Sequence, residues 1–135
     1  MRATDMEFVK LVGIEQSGND VSLAYKKDVQ NHLESIHAAA QFTLAETQSG
    51  LHLQKLFPEL VGEVVPLLRE STIKYKKPAI KSIVAFASCS DENIEKFGTQ
   101  FSKRGRATLC VSVEIKDVEG TTTAISEFIW FVQKI

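Results

Sequence analysis

The sequence has no apolar run near the ~18 residues that a membrane span needs. It also has no excess of either charge: sixteen Lys and Arg stand against seventeen Asp and Glu, for a net charge of −1. The first absence argues against a spanning helix, and the second against a dedicated duplex-DNA binder, which carries a basic excess. Cysteine is scarce. Cys89 and Cys110 lie far apart, with no CxxC and no Cys/His cluster, which excludes a disulfide scaffold and leaves the expectation of two buried free thiols in a reducing compartment. His32 and His52 have no partner at ligand spacing, so no metal is expected. Residues 1–7 contain no apolar leader segment, and the expected location is cytoplasmic. Internal repeats, linkers and low-complexity tracts are missing as well.

What is present suits one globular domain over residues 1–135. The chain is 44% hydrophobic and 24% charged. At this length folding removes roughly two-thirds of the unfolded chain's surface from water, enough for one core. Residues 8–15 and 21–25 are strand candidates flanking the turn signal Ser17-Gly18-Asn19-Asp20, a pattern that predicts a β-hairpin. Residues 36–56 predict a helix, rich in Ala and Leu and uninterrupted by Pro, with Ser35 or Asn31 near its N-cap. Between Ile36 and Gln54 its only charged side chain is Glu46, and a helix with no wide polar face is buried on most sides.

After Pro58 strand patterns dominate. Residues 67–75 alternate loosely up to Pro78, residues 83–88 form a short apolar run, and residues 91–101 read as a helical turn or a loop. Ala107, Leu109, Val111, Val113 and Ile115 share one face of a strand, with Thr108, Cys110, Ser112 and Glu114 on the other. A last strand over residues 121–132 puts Phe128, Trp130 and Val132 on one face. Many strands and one long apolar helix predict an α+β layout, an antiparallel sheet wrapped around a helix.

Several motifs occur in a telling order. Asn31 precedes His37 by six positions, Ala38-Ala39 follow the histidine, and Glu46 lies nine positions beyond it. Further on come Tyr75-Lys76-Lys77-Pro78-Ala79, Lys103-Arg104-Gly105-Arg106 before a strand, and Asp117-Val118-Glu119-Gly120 before the last one. Over residues 20–135 this order resembles the hotdog-fold thioesterases, most nearly the PaaI-like subgroup and DUF4442-type relatives. Their helix opens with His-Gly-Gly and carries an acid deeper in; here the glycines are alanines and the acid is Glu rather than Asp. The polar residue their strand carries has no match near Leu68.

The resemblance implies an acyl-CoA thioesterase that needs no metal and no redox or other cofactor and assembles as a homodimer or a dimer of dimers. Geometry constrains such a site. Nine residues of α-helix are about 13–14 Å of rise and about 900° of rotation, so the helix start and Glu46 face opposite ways. One chain cannot bring both to one carbonyl, whereas two antiparallel copies can, giving a composite site at a two-fold interface. There the N–H of Ala38, with or without that of His37, would hold the oxyanion. Glu46 of the other copy would act as general base or nucleophile, its pKa raised by apolar surroundings. Asn31 would orient water or the carbonyl, and Thr47 could assist Glu46. Phe42, Phe57, Phe86 and Leu53 are candidates for an acyl cavity. Lys103, Arg104 and Arg106, and the group Lys74, Lys76, Lys77 and Lys81, are candidates for holding coenzyme A phosphates. The alternative is a non-catalytic hotdog module that binds an acyl group. A hydratase on the same fold is disfavoured because no Asp-x-x-x-x-His pattern occurs.

Overall fold

The computed structural model describes residues 2–135; Met1, where the segment read above for a leader begins, lies outside them. In chain order the elements are α1 (Glu7–Val12), β1 (Glu15–Ser17), β2 (Asp20–Leu23), α2 (Ala38–Leu56), β3 (Val64–Tyr75), β4 (Ile83–Ser88), α3 (Asp91–Arg104), β5 (Arg106–Asp117) and β6 (Thr122–Lys134). The six strands make one antiparallel sheet in the order β1-β2-β4-β5-β6-β3. The long helix α2 packs on β2, β4, β5 and β6, giving the predicted α+β architecture of a sheet around a central helix.

The β5 and β6 patterns come through as read. Ala107, Leu109, Val111, Val113 and Ile115 are buried, as are Phe128, Trp130 and Val132. These face Leu44 and Ala45, which are wholly buried on α2. A bulge in β6 modifies the alternation. Ile115 pairs with Ala124 but Lys116 pairs with Thr122, so Thr123 has no opposite number and turns inward beside Ala124. A second bulge in β3, between Leu68 and Glu70, frees Arg69. Its guanidinium lies 3.9 Å from the centre of the Phe131 ring.

Three local expectations are corrected. Residues 8–15 are mostly helical: α1 ends at Gly13, whose φ of 90° is left-handed, and only Glu15 onward is strand. The apolar residues Phe8, Val9, Leu11 and Val12 follow i, i+3, i+4 spacing, and a glycine C-cap stops the helix. Residues 91–101 belong to a full helix of 14 residues, with Ser90 as N-cap and Gly105 as C-cap. Its apolar side chains Ile94, Phe97 and Phe101 are spaced by three and four, and the polar residues between them are its solvent side. The two thiols are half-buried rather than buried.

Phe97 is the anchor of α3. It is 1% exposed, and its ring lies 4.6 Å from that of Phe57 and 5.7 Å from that of Phe101. Phe97→Ala should cost about 3–5 kcal/mol, a large share of a typical domain's stability. The check is the urea midpoint, which should fall with the slope of the transition unchanged.

Candidate active site

Helix α2 carries most of the candidate residues, and its start is not capped as predicted. His37 is the N-cap: the N–H of Ala39 donates to its Nδ1 at 3.0 Å. Ser35 and Asn31 instead close the loop before the helix. The Asn31 Oδ1 accepts from the N–H of Leu33 at 2.8 Å and of Ser35 at 3.2 Å, and its Nδ2 donates to Ser35 Oγ at 2.9 Å. One hydrogen of that amide remains free. His37 spends its own N–H on the carbonyl of Val29 at 2.7 Å, so it is not an oxyanion donor. Among the described residues the N–H of Ala38 has no acceptor. It is the free donor at a helix N-terminus, where the helix dipole is positive.

Ala38 sits in an open hollow of about 290 Å³ with Asn31, Gln41, Tyr75, Lys76 and Lys77. The Tyr75 hydroxyl donates to the Ala38 carbonyl at 3.0 Å. Burial raises the Tyr75 pKa, which keeps that hydroxyl protonated. Gln41 was not legible as a site residue. It is 3% exposed, and its Oε1 accepts from Thr123 Oγ1 at 2.9 Å. Its Nε2 has no acceptor among the described residues. The β6 bulge supplies Thr123 as its partner, and no local pattern of residues marks that bulge.

Glu46 lies elsewhere. It lines a separate cavity of about 240 Å³, whose walls include Met6, Val9, Gly50, Leu53, Pro66 and Trp130. No residue borders both this cavity and the Ala38 hollow. Among the described residues nothing donates to the Glu46 carboxylate, and burial pushes its pKa above the ordinary 4.5. Its backbone is well held: the Glu46 carbonyl accepts from Ser49 Oγ at 2.7 Å, and that oxygen accepts from Trp130 Nε1 at 2.9 Å. Thr47 borders the same cavity, with its hydroxyl donated to the Thr43 carbonyl at 2.7 Å.

The remaining candidates are dispersed. Phe42 packs on Phe128, with ring centres 5.5 Å apart, and is not a wall of the Glu46 cavity. Of the other acyl-cavity candidates, Leu53 borders it, whereas Phe57 and Phe86 belong to other hollows. Lys103 and Arg104 fill the last turn of α3, where cations meet the negative helix end. Arg106 pairs in register with Gln133. All three are exposed, at the sheet end where α2 finishes rather than where it starts. Lys76 and Lys77 are the cations beside Ala38, while Lys81 pairs with Glu119 at 2.5 Å. Burial, with Cys110 nearby, pushes the Cys89 thiol up to about 11, and burial beside Glu127 also raises Cys110.

The fold has counterparts among solved structures. A Pseudomonas aeruginosa protein of unknown function, described as a probable thioesterase, superposes with a TM-score of 0.83 at 24% identity, over 99% of this chain and 93% of its own. A Bacillus halodurans protein solved with CoA gives 0.74 at 24% identity, over 94% and 76%. A Haemophilus influenzae thioesterase gives 0.76 at 15% identity, over 97% and 85%. At these identities the likeness shows the shared hotdog fold. No curated protein matches. A model described as a domain of unknown function, DUF4442, matches residues 9–132, nearly the whole chain, and the protein belongs to that family.

Proposed function

We propose that this protein is an acyl-CoA thioesterase whose site is shared between two chains. The observation that carries the reading is the placement of Glu46. It is a half-buried carboxylate with no donor among the described residues, lining an apolar cavity midway along α2. A charge is held in such a place against its desolvation cost, and a base with a raised pKa suits proton abstraction from water.

The other half of the chemistry lies at the start of α2. The Ala38 N–H, with the Gln41 amide and the free Asn31 hydrogen beside it, is a set of donors suited to the negative charge that grows on a thioester oxygen. Lys76 and Lys77 border the same hollow and could meet the phosphates of coenzyme A. A second chain resolves the separation of the two halves. Strand β3 is a sheet edge of 12 residues whose outer side carries no strand, with Val65 45% and Leu67 54% exposed. Pairing two such edges antiparallel runs the two α2 helices in opposite directions, bringing one copy's Glu46 toward the other's Ala38. The Bacillus halodurans relative solved with CoA and the Haemophilus influenzae thioesterase support the substrate class.

In the reaction Glu46 removes a proton from water, the hydroxide adds to the thioester carbon, and the oxyanion is held by the Ala38 N–H. Collapse expels the thiolate, which takes up the proton, leaving a free acid and CoA.

Two variants test this. Glu46→Gln should fold normally and lower kcat by about 10²–10⁴-fold. Ala38→Pro deletes the N–H at the first helical position, where proline is tolerated, and should lower kcat by about 10²–10³-fold. Mixed dimers of the two inactive variants should recover about a quarter of wild-type activity, because half the dimers are mixed and each has one intact site. Wild-type protein that releases no thiol from any acyl-CoA overturns the enzyme; no recovery on mixing overturns the shared site.

Stability offers a further check with the opposite sign. Glu46 has a higher pKa folded than unfolded, so the native state binds its proton more tightly, and wild type loses stability as pH rises from about 4.5 through the raised value. Glu46→Gln escapes this loss. The Tm difference, variant minus wild type, should therefore be larger at pH 7.5 than at pH 4.

A further inference from the structure

The Glu46 cavity is not isolated. A second apolar chamber of about 340 Å³ lies further along α2, bordered by Phe57, Leu60, Val61, Val64 and Val132. The two share Leu53, Gln54 and Pro66 as walls. The two chambers are therefore neighbours along α2, one beside Glu46 and the other beside Phe57.

Gly50 is part of the near chamber's wall. This glycine sits in the interior of α2, four residues after Glu46 and on the same face. Its backbone is helical and does not need a glycine. A Cβ built there would meet Trp130 at 3.4 and 3.7 Å, ordinary contact. Neither backbone conformation nor packing within the chain calls for the residue, and glycine is among the worst helix formers. It lines the cavity on the face of α2 that carries the carboxylate. Met6 and Val9, from the N-terminal segment, close that cavity from the outside.

From this geometry we infer that the two chambers together hold an unbranched apolar acyl chain, lying along α2 from Glu46 to Phe57, with Val61 and Leu60 at its far end setting the length limit. The inference rests on the thioesterase reading and adds the substrate class. Eleven residues of helix rise ~16 Å. At about 1.2 Å per backbone bond of an extended chain, that distance holds roughly a dozen carbons. Each methylene that leaves water for these walls should tighten binding by up to about fourfold.

The test is a chain-length profile. Acetyl-, butanoyl-, octanoyl- and dodecanoyl-CoA are compared by kcat/KM in wild type, Val61→Trp and Leu60→Ala. Val61 is 48% exposed, so the tryptophan can be carried without disturbing the core, and circular dichroism confirms folding. Wild type should favour dodecanoyl over butanoyl by at least tenfold. Val61→Trp should lower that ratio at least tenfold, and Leu60→Ala should shift the optimum to longer chains. A flat wild-type profile, or variants that scale every chain length equally, overturns the two-chamber inference while leaving the hydrolase intact. If wild type hydrolyses none of them, the hydrolase reading fails and the chambers are judged by calorimetry with the free acids. Dodecanoate bound more tightly than butanoate, and weakened by Val61→Trp, sustains them; equal binding overturns them.

Discussion

The burial of α2 governs the rest of the molecule. A helix enclosed by a curved sheet must satisfy its polar side chains locally or against the strands, and α2 does both. Thr43 and Thr47 return their hydroxyls to the carbonyls of Ala39 and Thr43. Gln48 takes the N–H of Val21 at 3.0 Å and gives to the carbonyl of Asn19 at 2.7 Å, tying the β1–β2 hairpin to the helix. Gln41 meets Thr123, and Ser49 meets Trp130. Against this background of paired groups, the Glu46 carboxylate and the Ala38 N–H stand out because nothing among the described residues pairs with them.

The placement of these two groups follows from how each neighbouring element is built. The N-terminal segment folds over the middle of α2 because Ala3 and Val9 are buried there, bringing Met6 to the Glu46 cavity. Edge strand β3 contributes Pro66, which costs no ladder bond at an edge. At the other end of β3, Tyr75 reaches the Ala38 carbonyl, and the N–H groups of Lys76 and Lys77 bond to the Thr123 carbonyl. Opposite ends of one strand thus border the Glu46 cavity and the Ala38 hollow.

Much of the fold was legible because period-2 alternation in residues 107–115 and 121–132 and the uncharged helix are strong signals of burial. Local stretches with mixed spacing were not: residues 8–15 are too short to separate a capped helix from a strand, and residues 91–101 look polar because only every third or fourth residue of α3 meets the core. At the site, Glu46 was visible as the one formally charged side chain between Ile36 and Gln54. His37 was visible too, but its role as N-cap depends on a ring rotamer and on the Val29 carbonyl opposite its N–H. Gln41 and Gly50 could not be picked out, since one needs the Thr123 bulge and the other the Trp130 wall to acquire meaning.

What the sequence by itself determined is the composition of the core and the identity of the single charged side chain midway along α2, because those depend on periodicity and residue type along individual strands and one helix. Only the tertiary structure decided which donors remain unspent and which cavities they border. Those properties depend on atoms supplied by segments far apart in the chain, such as the carbonyl of Val29 against His37 or Met6 and Pro66 around Glu46. No local pattern encodes such meetings; they arise when the sheet closes on the helix.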